Sequence, residues 1–157
     1  MGRIYVATLA PTAIAVATTD LVAVLAATQI PIGIRAIRWW QTSDFGDAQD
    51  EIIQLRLVRG NTTAGSGGST FTPLAKNKKQ AAASFTARIG DTTAASAGTA
   101  ENTYNTGVNV RSPFEMIFTD DQMVRSDNTT GYIVLRVVAA PVDSITMGAE
   151  LDVEELY

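Results

Sequence analysis

The chain has 157 residues, enough for one domain with a substantial core, and a formal net charge of −4. It contains no cysteine and no histidine. That excludes disulfides, thiolate metal sites, thiol nucleophiles and the commonest general base, and it leaves folding independent of an oxidising compartment. The acidic balance argues against a domain-wide nucleic-acid surface.

The first thirty residues superficially suggest a leader or a membrane span. Pro11, Thr18, Thr19 and Asp20 interrupt them well short of the ~20 apolar residues a spanning helix needs. Gly2 is followed by Val6 where a myristoylation signal wants Ser or Thr. The segment reads instead as strands over residues 3–9, 13–18 and 21–27, and the chain is expected to be soluble with no membrane partner. Residues 31–41 form a longer apolar run in which Trp39 and Trp40 are adjacent. In a regular strand they point to opposite faces, so one can enter a core while the other needs a second covering. Both are candidate subunit-interface residues on that ground.

The stretch 42–73 organises the chain. An acidic turn carries Asp44, Asp47, Asp50 and Glu51. A run then follows in which Leu55 and Leu57 alternate with Gln54, Arg56 and Val58, the period of a half-buried strand. Residues 60–69, which include Asn61 and Ser66, read as a Gly/Ser/Thr loop. That loop lacks the Lys-Ser/Thr ending of a phosphate-binding loop and the third glycine of a dinucleotide fold. The acidic turn does not match EF-hand spacing, because Phe45 and Gly46 stand where ligands would be needed. No cofactor or metal is expected.

All three lysines, Lys76, Lys78 and Lys79, fall in one KNKK segment. Three cations are too few for non-specific nucleic-acid binding, so the segment reads as a solvated loop or a local contact. Residues 76–84 are the best candidate for one or two helical turns. Residues 81–89 alternate through Phe85, Ala87 and Ile89, and 91–105 read as a polar loop. Short extended pieces are expected at 108–110 and 114–118, followed by a polar stretch at 120–131. Residues 132–140 set Ile133, Leu135 and Val137 against Tyr132, Val134, Arg136 and Val138. Residues 145–155 alternate most cleanly, with Glu150, Asp152 and Glu154 on an acidic outer face.

Eight to ten short runs with turn punctuation and no fixed repeat indicate one all-β domain over 1–157. The expected architecture is an antiparallel β-sandwich, jelly-roll-like, with long polar loops. Carboxylate pairs among Asp120, Asp121, Glu150 and Asp152 show no sign of a cleft, and the serines have no histidine to activate them, so no catalytic residue is assigned. Two sequons, at Asn61 and Asn128, are too common a pattern to carry weight.

The pieces Thr42 to Gln49, Leu55 to Thr63, Gly65 to Gly68 and Thr72-Pro73 resemble a family of small all-β proteins of tailed bacteriophages and prophages. Weaker echoes occur at Asn109 to Arg111, Ala139 to Pro141 and Val153 to Leu156. Members similar in size are capsid decoration, or cement, proteins. The resemblance implies a non-enzymatic virion component, a homotrimer on the outside of the phage head, with the major capsid protein as partner. On it, Asp44, Asp47, Asp50, Asn61, Ser66, Lys76, Lys78 and Lys79 are candidate capsid-contact residues. The apolar runs 31–40 and 132–140 are candidate self-association faces. The competing readings are a loop-based glycan- or receptor-binding sandwich, with Trp39, Trp40, Tyr104 or Phe71 stacking on sugars, and a minor tail or baseplate component.

Overall fold

A computed structural model describes residues 2–15, 19–43, 50–127 and 131–157. Within them the chain forms twelve strands and no helix: β1 Arg3–Ile14, β2 Thr19–Leu25, β3 Ile32–Gln41, β4 Ile52–Thr63, β5 Ser69–Phe71, β6 Leu74–Ala75, β7 Thr86–Asp91, β8 Ser96–Asn109, β9 Phe114–Ile117, β10 Val124–Ser126, β11 Tyr132–Val137 and β12 Ile145–Glu155. They build two antiparallel sheets. The first runs β10-β3-β12-β1-β6, with β9 also on β3, and the second runs β5-β7-β2-β11-β4-β8.

β9 and β10 pair with successive parts of β3, residues 36–39 and 32–34, so they are two halves of one interrupted edge strand. If β5, β6 and β7 are treated as an insertion between β4 and β8, eight strands remain. They alternate between the sheets at every connection except the one from β4 to β8. That order is a jelly roll. The fold expected from the sequence is the fold observed.

The core lies between the sheets. β11 sends Ile133, Leu135 and Val137 inward, and β12 sends Ile145, Met147, Ala149, Leu151 and Val153. Both strands keep the parity of the sequence pattern. Tyr5 packs edge-on to Phe85 at 5.6 Å between ring centres, and Tyr104 does the same to Phe118 at 5.4 Å.

Several local expectations need correcting. β1 does not end at Pro11: pairing with β12 breaks between Leu9 and Thr12 and resumes through Ile14, so Ala10 and Pro11 form a bulge. Of residues 91–105, expected as a loop, only 92–95 are one: β8 takes 96–105 into a long strand that pairs along β4. Its polar composition suits an edge strand with little to bury, and the apolar alternation that marks a strand is therefore missing. β4 continues to Thr63, so Asn61 is a strand residue. Residues 76–84 hold a turn rather than a helix, closed by Gln80 N–H donating to Asn77 O at 2.9 Å.

The Gly/Ser segment is fixed in place. β4 and β5 stand near opposite edges of the second sheet, as do β7 and β8, so the connections 64–68 and 92–95 must both cross that sheet. They run side by side over its outer face, and Ser66 and Thr93 exchange two backbone hydrogen bonds at 2.9 Å. Gly65 lies so close that a Cβ there would stand 2.7 Å from Thr93 O. A Cβ at Gly68 would stand 2.1 Å from Ile89 O. Glycine is needed here for close backbone crossing.

Candidate functional site

The doubled crossover decides what the second sheet presents. Its Ala95 packs on Ala23 and Val134 of the sheet, all three buried, with Tyr132 packed beside them. Two charged groups secure it. Asp20 accepts from Arg136 Nε at 2.5 Å and from Ala95 N–H at 2.6 Å, while Arg136 Nη2 donates to Ala95 O at 2.9 Å. Asp91 takes Gly68 N–H at 3.0 Å and Arg88 Nη2 at 2.6 Å. Burial pushes the Asp20 carboxyl up from its ordinary range, against the pull of Arg136 and Ala95 N–H. The outer apolar face of 132–140, expected as a self-association patch, is thus covered within the chain at Val134. A carboxylate already occupies the amide of Gly68, so the glycine segment is no phosphate cradle.

On the first sheet, outward side chains form rows across the strands. Arg38 of β3 faces Glu115 of β9 and Glu150 of β12, each at 2.7 Å, and reaches Asp152 at 3.1 Å. Thr8 of β1 donates to Glu150 at 3.2 Å. Lys76 closes the ladder on Asp152 at 2.7 Å. Arg35 bridges Glu154 and Asp120, and Gly2 N–H donates to Glu154 at 3.0 Å. The acidic face of β12 is therefore neutralised by arginines and a lysine, with Asp152 and Glu154 buried beneath them. Burial opposes the charge on Arg38, but Asp152, Glu115 and Glu150 override it and raise its pKa. Arg35 is raised chiefly by its hydrogen bond to Glu154.

Trp39 and Trp40 obey the strand parity. Trp39 is 1% exposed in the core, with its indole N–H on Met147 Sδ at 3.3 Å, and so cannot be an interface residue. Trp40 points outward, half-buried, and lies over Gly148 across the sheet. A Cβ at Gly148 would stand 2.5 Å from indole Cε2 and Cζ2, so this placement requires glycine opposite the ring. Trp40 lines a groove of about 310 Å³ with Arg38, Trp39, Pro113, Phe114 and Glu115. Of the four aromatics proposed for sugar stacking, Trp39 is in the core, Tyr104 and Phe71 are half-buried against it, and Trp40 is half-buried on the outer face at the groove.

The remaining loop candidates do not converge. Asp44 and Asp47 lie outside the described residues. Asp50 is exposed and pairs with Arg111 at 3.0 Å. Asn61 is buried, its amide nitrogen donating to Ala97 O at 3.2 Å, which takes it out of any contact surface. Ser66 is exposed on the crossover, and Lys78 and Lys79 are exposed at the tip of the 76–80 turn. Sequence reasoning missed Arg35, Arg38 and Gly148. Their meaning depends on the β3–β12 register, which pairs Trp40 with Gly148 and Arg38 with Glu150. The one available signal was a glycine on the outward parity of β12.

At the carboxyl end Glu155 is fully buried. Its Oε1 accepts from Ser84 N–H and Ser84 Oγ, both at 2.6 Å, and its Oε2 from Tyr157 O–H at 2.6 Å. Burial would raise this carboxyl, but the donors outweigh it and hold the group below its ordinary value. It clamps the 81–85 segment to β12.

No protein-family model, no curated protein and no solved structure matches the chain.

Proposed function

We propose that this is a non-enzymatic virion structural protein, a decoration or cement protein that binds the outside of a phage head as an oligomer and stabilises it. The trimer number and the capsid partner come from the sequence resemblance. The observation that carries the reading is the jelly-roll core with its outward charges spent on each other, since a rigid scaffold that works by contact needs no reacting group. Exposed apolar side chains at Ile52, Leu74 and Ile117 lie at strand ends, and Val142 in the β11–β12 loop, where neighbouring subunits or a lattice can cover them. Lys78, Lys79 and Ser66 remain available as polar contacts.

The test is binding to assembled heads against free capsid subunits, followed by thermal disruption of the heads. A protein that binds only the intact lattice stabilises each site by RT ln(1 + [L]/Kd), about 2.7 kcal/mol at a hundredfold excess over Kd. Heads that break at an unchanged temperature in the presence of saturating protein would rule the reading out.

A further inference from the structure

We propose that the groove beside Trp40, on the outer face of the first sheet, binds a ring of a neutral carbohydrate. The indole is spread over Gly148, where any side chain would displace it, so the ring lies against the sheet and borders the groove beside Pro113 and Phe114. A ring held flat in this way is a stacking platform for the apolar face of a pyranose. The polar groups that would orient the sugar stand next to it. Glu115 gives Oε1 to Arg38 Nε at 2.7 Å, its side chain is 51% exposed, and Oε2 takes no hydrogen bond among the described residues. The indole N–H of Trp40 likewise has no acceptor among the described residues. A free carboxylate oxygen and a free N–H beside an aromatic face match the vicinal hydroxyls of a sugar.

Charge decides among flat ligands. Arg38 and Lys76 offset two of the three carboxylates Glu115, Glu150 and Asp152, which leaves the adjacent row one charge negative on a chain of net −4, so a phosphate-bearing nucleotide is disfavoured relative to a neutral ring. A groove of about 310 Å³ suits a small ligand of one or two rings. This site rests on the sheet face alone and not on the capsid reading.

The test screens the intact protein against an array of neutral glycans, then titrates maltotetraose, cellotetraose and chitotetraose, reading intrinsic fluorescence and calorimetry. Saturable binding of at least one neutral oligosaccharide is expected, with a change in Trp40 emission. Trp40→Ala should weaken it by about tenfold or more, the effect of losing a principal contact. Glu115→Gln should weaken it while keeping the emission change, and Gly148→Ala should weaken it by displacing the platform. If Trp40→Ala does not fold, Trp40→Phe should bind more weakly than the parent. Absence of binding across the neutral array by folded protein would overturn the proposal. So would equal affinity in the Trp40 variants, or a response to single-stranded DNA where no sugar gives one.

Discussion

On the second sheet, the outward residues Ala23 and Val134 lie beneath two backbone crossovers, with buried Asp20 paired to a mostly buried Arg136 beside them. On the first sheet, among the described residues, the outward residues Arg38, Glu150 and Asp152 are covered by side chains: one another's and those of Thr8, Glu115 and Lys76. Both faces belong to central strands of one sandwich, yet one is sealed by main chain and the other by an ion-pair ladder. The sealed face ties its charges to the backbone groups of Ala95 and Gly68. The open face shares each charge among several opposite ones, so losing one leaves the rest compensated. The two faces should therefore respond very differently to deletion of a carboxylate.

The largest effect is expected from Asp20→Ala. It removes the counter-charge of Arg136, whose side chain is 13% exposed and keeps its bond to Ala95 O, and leaves Ala95 N–H without its acceptor. Breaking such a buried pair costs about 3–5 kcal/mol. Asp152→Ala on the open face should cost ~1 kcal/mol or less, because Arg38 keeps Glu115 and Glu150, and the Asp152 Oδ1 removed is itself an unsatisfied buried acceptor. Urea unfolding of the two variants measures the contrast directly. Equal losses would mean that the crossovers do not depend on Asp20.

Next comes Gly148→Ala. The added methyl meets the Trp40 ring at 2.5 Å, so the indole must lift off the sheet, at a cost of about 1–3 kcal/mol. The emission of Trp40 should shift while Trp39, in the core, does not change. The same substitution on an open strand position would be nearly silent, which makes it a test of the cross-strand fit.

Acid titration sharpens the comparison by sign. Asp20 has a raised pKa in the folded state, so its contribution to stability is present below its ordinary value of 3.8 and is lost as pH rises through the folded value. Glu155 has a lowered pKa, so its contribution is present above its ordinary value of 4.5 and is lost as pH falls through the folded value. Carboxyl-carbon chemical shifts should show Asp20 titrating above 3.8 and Glu155 below 4.5. Glu155→Gln should flatten the acid limb of the stability curve.

How much of this was legible in the sequence follows from which interactions are local. Period-two alternation suffices to put Ile133, Leu135 and Val137, and the whole inner row of β12, on the core face. Adjacent Trp39 and Trp40 announce a two-faced strand in the same way. β8 was invisible because an edge strand has little reason to alternate, and residues 91–105 carry Gly, Ala, Thr and Asn whichever state they adopt. The crossovers were invisible because Gly65 and Gly68 resemble a flexible linker in sequence. The pairing of Ser66 with Thr93, and the close approach of Gly65 and Gly68 to Thr93 O and Ile89 O, show that they lie against backbone. The Trp40 groove depends on register between β3 and β12, a long-range fact that no local pattern encodes.

The smallest effect separates the three lysines. Lys76 sits on Asp152 at 2.7 Å with its side chain 42% exposed, whereas Lys78 and Lys79 are exposed at the turn tip. A pair so open to solvent is screened and contributes roughly 0–1 kcal/mol. Lys76→Ala should thus cost a fraction of a kcal/mol, falling further as salt rises, and a double-mutant cycle with Asp152→Asn should account for most of it. Lys78→Glu with Lys79→Glu should leave urea stability unchanged, and on the cement reading should weaken attachment to assembled heads. If Lys76→Ala weakens head binding more than the double charge reversal does, Lys76 leaves Asp152 to make that contact. The ladder would then be a surface that opens on docking, not a seal.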